Sequence, residues 1–316
     1  MIILPNKSII FPSTLGVAGR FKLTATKVES GKSRVLADWF DNLILDQGLN
    51  RWGTGAIITA CQVGTGNTAP AATQTQLANF LAGTTSIQSQ TTSAQSTPPY
   101  YGSRIFTFRF NAGAATGNLS EVGVGWSSAS GNLFSRALIL DGGGSPTTIT
   151  VLSDEILDVS YEFRTYPPDT DSVFSINISG TDYDCVLRAH SVTSAGHWAL
   201  VTSAAIGQSV NGNRAYNGAL GAITTSPSGT QDASSSQVAS AYSNNSFQRD
   251  FTTTWNLNDG NLSGGISAIG LCDNNGGNGF GRCGGSYQVS FSPAIPKDAS
   301  KTLTISHRVQ WARKTI

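Results

Sequence analysis

Five carboxylates in the first half of the chain, Glu121, Asp154, Glu155, Asp158 and Glu162, carry the chemistry that is easiest to name. Two of them flanking a glycosidic bond could act as acid and as base or nucleophile. Their settings point to plainer duties. Asp154-Glu155 sits in a connection before a strand, where solvated loop charges are expected, and Glu121 and Glu162 fall on Ala268 and Arg308 when the two halves of the chain are aligned. Gly64-Thr65-Gly66-Asn67-Thr68-Ala69 fits G-x-G-x-x-A behind an apolar run, the pattern that brings a pyrophosphate to a helix N-terminus. Pro70 interrupts it, and no Asp or Glu follows at the distance needed to hold a ribose, so a glycine-rich turn is expected. Ser30-Gly31-Lys32-Ser33 lacks the upstream glycine of a phosphate loop and also reads as a turn. His190, His197 and His307 have neither nucleophile nor metal spacing around them, and His307 belongs to an apolar face. Cys61, Cys185, Cys272 and Cys283 show no C-x-x-C pattern. No metal, cofactor or catalytic residue is expected from these patterns. Cys272 and Cys283 flank a Gly/Asn loop and could meet, although free thiols suit a chain whose first residues lack the layout of a signal peptide.

Recognition is the milder chemistry available. Flat faces for sugar stacking could come from Trp126, Trp198, Trp255, Tyr100, Tyr101 and Tyr166, with Asn and Gln in loops supplying hydrogen bonds. The loop Asp273-Asn274-Asn275-Gly276-Gly277-Asn278-Gly279 has no match in the first half, where Ser127-Ser128-Ala129-Ser130-Gly131-Asn132 stands in its place. It holds too few carboxylates for calcium. The candidate interface or ligand residues are therefore Asp273, Asn274, Asn275, Asn278, Trp126, Tyr100 and Tyr101.

Composition narrows the partners. Asp, Glu, Lys and Arg make up 12% of the 316 residues, against about 25% in ordinary soluble domains. The stretch from Trp52 to Ser103 has no charged residue at all, and the net charge is +1. That balance excludes an electrostatic case for nucleic acid. No apolar run approaches the roughly 20 residues of a spanning helix, so a membrane partner is not expected either. Short uncharged polar side chains suit tightly turned β structure and surfaces that bury against neighbours in an assembly. A secreted β protein would share this composition.

The elements that must position these residues are strands. Residues 1–20 read as an extended N-terminal arm, broken by Pro5, Pro12, Gly16 and Gly19, that docks on a neighbour. Period-two alternation predicts a hairpin over 21–40, then strands over 104–110, 119–126, 133–140, 147–152 and 156–166. Phe106, Phe108 and Phe110 share one face, as do Leu157, Val159, Tyr161 and Phe163. Residues 42–49 could form a short helix ended by Gly48. Thr73-Gln74-Thr75-Gln76 is a capping-box pattern that predicts a short helix reaching Gly83. Residues 84–99 read as an exposed crossing.

The last third then echoes the middle third. Arg104-Ile105-Phe106-Thr107 returns as Arg249-Asp250-Phe251-Thr252, Phe134-Ser135-Arg136 as Phe280-Gly281-Arg282, and Leu157-Asp158-Val159-Ser160-Tyr161 lies on Leu303-Thr304-Ile305-Ser306-His307. So long a period exceeds the roughly 20–50 residues of solenoid and propeller repeats and implies a duplicated domain. The expected fold is mainly β: two tandem related antiparallel β-sandwich domains of jelly-roll or immunoglobulin-like type, over 21–168 and 169–316, with one short helix.

Trp39 to Leu49, Gln62 to Pro70 and Thr75-Gln76-Leu77 resemble segments of virion structural proteins from tailed bacteriophages. So do Leu119 to Gly125, Leu133 to Ala137 and Thr147 to Val151. The likeness covers roughly residues 20–167 and is loose in the second half. It implies a structural subunit of the virion, made in the host cytoplasm, with copies of itself and other virion proteins as partners; tail tip or baseplate, fibre, collar and head decoration all stay open, and the tail or its tip is the place expected here. It implies no catalytic residue. A host-glycan adhesin, a capsid decoration protein and a depolymerase are the other roles that these residues leave open.

Overall fold

The structure, a computed structural model, describes residues 10–208, 213–272 and 284–315. The chain is mainly β. The first half runs β1 (Ile10–Lys27), β2 (Ser33–Asp41), β3 (Leu43–Ile44), α1 (Asp46–Trp52), β4 (Ala60–Gly64), β5 (Phe80–Thr84) and β6 (Ile87–Ala94). It continues through β7 (Gly102–Phe110), β8 (Gly117–Leu119), β9 (Glu121–Gly125), β10 (Leu133–Leu138), β11 (Ile149–Val151) and β12 (Glu155–Tyr166). The second half adds β13 (Ser172–Ile178), β14 (Thr181–Ala189), α2 (Ala195–Trp198), β15 (Arg214–Tyr216) and β16 (Gln231–Asp232). It closes with β17 (Ser236–Ala239), β18 (Gln248–Trp255), β19 (Ile266–Leu271), β20 (Tyr287–Ile295) and β21 (Leu303–Arg313).

An eight-stranded sheet takes the order β17-β18-β21-β1-β12-β7-β6, with β2 also paired to β1. A five-stranded sheet β3-β10-β9-β4-β5 belongs to the first half, and a six-stranded sheet β13-β14-β20-β19-β15-β16 to the second. Alternation decides which side chains go inward, because successive residues of a strand point to opposite faces. Phe106, Phe108, Phe110, Leu157, Val159, Tyr161 and Phe163 are all buried, as the sequence predicts, and so are Leu303, Ile305, His307, Val309 and Trp311. Phe134 of β10 meets Phe163 of β12 edge to face at 5.7 Å, which packs the five-stranded sheet on the large one.

β1 corrects the expectation of an arm. From residue 10 onward the segment is extended, but its partners lie within the chain. Its first part runs parallel to β21, Ile10 opposite Ser306 through Val17 opposite Arg313. Its second part pairs antiparallel with β2 along the same edge, and β12 takes the other edge. Phe11 and Leu15 are fully buried, so removing residues 1–16 would open the core rather than free a docking arm. Nor does the Pro167-Pro168 connection divide the packing. Buried residues of both halves form one cluster, joined by Trp52 against Trp311 at 6.1 Å. The Trp311 indole N–H donates to the Leu49 carbonyl at 2.8 Å, and the Trp52 indole N–H to the Val201 carbonyl at 3.2 Å.

Three local expectations also change. The first helix spans 46–52, and Gly48 lies inside it as a point of close approach: a Cβ there would fall 2.4 Å from the Phe134 carbonyl oxygen. The capping-box segment is a series of turns leading into β5, because the amides of Ala78 and Asn79 donate to Glu121 instead of to a helix. The ladder partner that occupies the β10 position beside β19 is Tyr287-Gln288-Val289 of β20. Phe280-Gly281-Arg282 lies outside the described residues.

Candidate functional site

The carboxylates are occupied. Glu121, fully buried, accepts the backbone N–H of Gly66 at 2.9 Å, Ala78 at 2.9 Å and Asn79 at 2.7 Å. It also takes one guanidinium N–H of buried Arg136 at 2.7 Å. Arg136 in turn donates to the Thr68 carbonyl at 3.0 Å and the Gln74 side chain at 2.7 Å. The Gly64-x-Gly66 turn is therefore closed on a protein carboxylate, which takes the place a pyrophosphate would need. Glu155 is held bidentate by Arg34 at 2.9 and 2.8 Å, which keeps its carboxyl below the ordinary range. Asp158 is held by Arg109 at 2.8 and 2.7 Å, Glu162 by Arg20 and Arg164, and Asp154 by Lys27 at 3.2 Å.

The three histidines are less scattered than their sequence spacing suggests. His190 and His197 lie with ring centroids 5.6 Å apart, and the His197 Nδ1 sits 2.8 Å from the Ser286 hydroxyl. That hydroxyl donates to the Cys272 carbonyl at 3.1 Å, and the Cys272 sulfur lies 3.6 Å from His307 Nε2. His307 also stacks on Phe251 at 4.9 Å. Burial pushes its pKa down to about 3, so the ring is neutral at ordinary pH. Among the described residues no group of three or more His, Cys, Asp or Glu is arranged to hold a metal ion. Burial raises the Cys61 thiol, and that of Cys185 to about 12, which makes both poor nucleophiles.

Of the six aromatics nominated for sugar stacking, Trp198, Trp255 and Tyr166 are buried and cannot serve. Trp126, just past the end of β9, is half-buried and carries the Arg51 guanidinium 5.5 Å from its ring centroid. Tyr101 lies between Arg164, 4.4 Å away, and the Tyr166 ring at 5.4 Å, while Tyr100 packs against the core. These residues sit at the ends of strands in different sheets. Asp273, Asn274, Asn275 and Asn278 lie outside the described residues, as does Cys283.

What the structure does place on the surface is the charge-free stretch. β6, Ile-Gln-Ser-Gln-Thr-Thr-Ser-Ala, is the outermost strand of the large sheet, and seven of its eight residues are exposed. It pairs with β7 on one side and presents the other edge to solvent. Natural sheets blunt such edges with lysine, proline or inward-pointing charge. β2 follows that rule with Arg34, Asp38 and Asp41, whereas β6 has neither charge nor proline, and its one irregularity is a register shift between Ile87 and Ser89. β13 is a second edge strand without charge, and its Val173 is 75% exposed. Absence of charge over residues 53–103 was the available signal for β6, and its position at a sheet edge needed the structure.

No helix among the described residues is long and apolar enough to cross a membrane. No protein-family model, curated protein or solved structure matches this chain.

Proposed function

We propose that this chain is a structural subunit of a bacteriophage virion, in the tail or its tip, that works by symmetric self-assembly and by docking on neighbouring virion proteins. The β6 edge is the observation that carries the reading. Eight uncharged residues, every second of which turns its backbone N–H and C=O away from β7, are a template for another strand. An antiparallel pairing about a two-fold axis brings each strand against its own copy, and a strand without charge meets no like charge there. The phage-like segments add support: Gln62 to Pro70, Leu119 to Gly125 and Leu133 to Ala137 converge on the Glu121–Arg136 clamp. The subunit would be built as two related sandwiches. Matched ladders support this, since Tyr161 faces Phe106 just as His307 faces Phe251, and Leu157 faces Phe110 just as Leu303 faces Trp255.

The test is the native mass by light scattering across protein concentrations, for the wild type and for Thr91→Lys. A discrete oligomer that Thr91→Lys reduces to monomer is the expected result. A wild type that stays monomeric at every concentration would remove the self-assembly reading.

A further inference from the structure

A cleft of about 790 Å³ opens where the end of α1, the 203–208 segment and the turn between β17 and β18 meet. Apart from one arginine its walls are neutral: Gly53, Gly55 and Ala241 are small, Thr54 and Ser240 bring hydroxyls, and Tyr242 brings a ring. Arg249 is the one charged residue that lines it among the described residues.

The bonding of Arg249 is incomplete. Its Nη1 donates to the Ile206 carbonyl, but its Nε is buried without an acceptor, and burial lowers its pKa. A buried charge-bearing donor left unpaired is costly, and structures supply a partner for it. Two other guanidinium groups also keep a buried Nε unbonded, yet Arg136 has Glu121 and Arg164 has Glu162. Arg104 is the sharper comparison. It stands opposite Phe163 on β12 as Arg249 stands opposite Val309 on β21. Its Nε is fully used, by the carbonyls of Ala199 at 2.9 Å and Leu200 at 2.7 Å. No carboxylate stands in for these at Arg249. Asp250 is taken bidentate by Arg308 at 2.6 and 2.8 Å, and the sequence has no acidic residue from Cys185 to Gln231. The cleft is also shaped around the arginine stem: Gly207 has φ +82°, and a Cβ there would lie 2.5 Å from Arg249 Cδ.

We propose that this cleft binds an acidic sugar, with the ligand carboxylate closing on the Arg249 guanidinium. A single cation without a carboxylate partner calls for a monoanion, and a guanidinium fork matches the two oxygens of a carboxylate. The volume lies within the roughly 300–1,000 Å³ of small-molecule sites and far exceeds a bare anion. Hydroxyl-bearing and small walls suit a neutral, hydroxylated ring. None of the aromatic residues nominated above for sugar stacking lines the site, and it does not depend on assembly through β6.

Calorimetric titration of the full chain with sodium D-glucuronate tests this, with D-glucuronamide and sodium acetate as comparisons. Glucuronate is expected to bind in the millimolar range, and both comparison compounds at least about tenfold more weakly, as the loss of a charged hydrogen bond or of the ring contacts requires. Arg249→Gln should abolish binding. Ala241→Trp should do the same by filling the mouth without touching the guanidinium, and it decides the matter if Arg249→Gln does not fold. Thermal melts establish the folded state of each variant. Equal binding of acetate and glucuronate would mean an adventitious ion only and overturn the proposal. Binding that survives in folded variants would place the sugar elsewhere and overturn it as well. Absence of glucuronate binding overturns it too; if Arg249→Gln then changes the native mass, the missing carboxylate belongs to a neighbouring protein.

Discussion

The ladder β7–β12 and the ladder β18–β21 have the same strand order and the same facing positions, but they differ in how fully their polar groups are bonded. In the first, the Tyr161 hydroxyl receives the Asn42 amide at 3.1 Å and the Ser135 hydroxyl at 3.3 Å, and Arg104 is sealed by two carbonyls. In the second, His307 Nδ1, Arg249 Nε and Trp255 Nε1 are buried without a partner, whereas in the first Arg164 Nε is, on a guanidinium that still holds Glu162. A closed network fixes one geometry, whereas a half-satisfied one costs stability and needs a reason to persist. The first ladder is thus the better bonded of the two, and the second leaves more of its buried polar groups unused.

The largest effect that would sharpen this contrast comes from the first half. Glu121→Ala leaves Arg136 buried and charged and three backbone amides without their acceptor. Breaking one partner of such a buried pair costs about 3–5 kcal/mol. Urea denaturation should show it, and a loss below about 1 kcal/mol would mean that water reaches the clamp.

Acid should act through the second ladder. Buried His307 protonates only near pH 3, whereas an unfolded histidine does so near its ordinary 6.5. Between those values the unfolded chain binds more protons, so stability falls as pH drops from about 6.5 toward 3. From pH 7 to pH 4 this one group would remove up to about 3 kcal/mol. His307→Phe should therefore lose less stability over that range than the wild type, with melts at both pH values as the measurement. An identical acid response in the two proteins would show that His307 is solvated.

Tyr161→Phe removes two hydrogen bonds from the first ladder and should cost about 1–2 kcal/mol by chemical denaturation. A neutral result would weaken the case that this ladder is the better bonded one. The smallest effects belong to the one surface ion pair that each ladder carries between its strands. Asp158→Asn and Asp250→Asn each break a cross-strand bidentate pair with an arginine that is about one-third exposed, 34% for Arg109 and 30% for Arg308. Each should shift stability by about 0.2–1 kcal/mol, and less in high salt.

Strand positions and inward faces were legible because alternation is a local signal. The β1–β2 hairpin and the buried faces of β7, β12 and β21 all follow from it. The place of β1 was not legible, since nothing in residues 10–17 records a partner near residue 310. The turns around Thr73 misled for a related reason: the amides that a helix would use are taken by Glu121, more than 40 residues away. Trp198, Trp255 and Tyr166 read as surface candidates because residue type alone does not report burial. Arg249 was visible only as an echo of Arg104. Its missing partner emerges when the neighbours of both arginines are known.

The parallel pairing of β1 with β21 also sets an order in time. Ser13 donates to the carbonyl of Arg308, 295 residues further along. During synthesis the first strand emerges long before its neighbour exists, so Phe11 and Leu15 must wait with their apolar faces uncovered. Closing so distant a contact is slow, and an exposed strand edge is the feature that draws chains into aggregates in the interval. The seam that unites the halves should thus be the last part of the molecule to form and the step most in need of a chaperone.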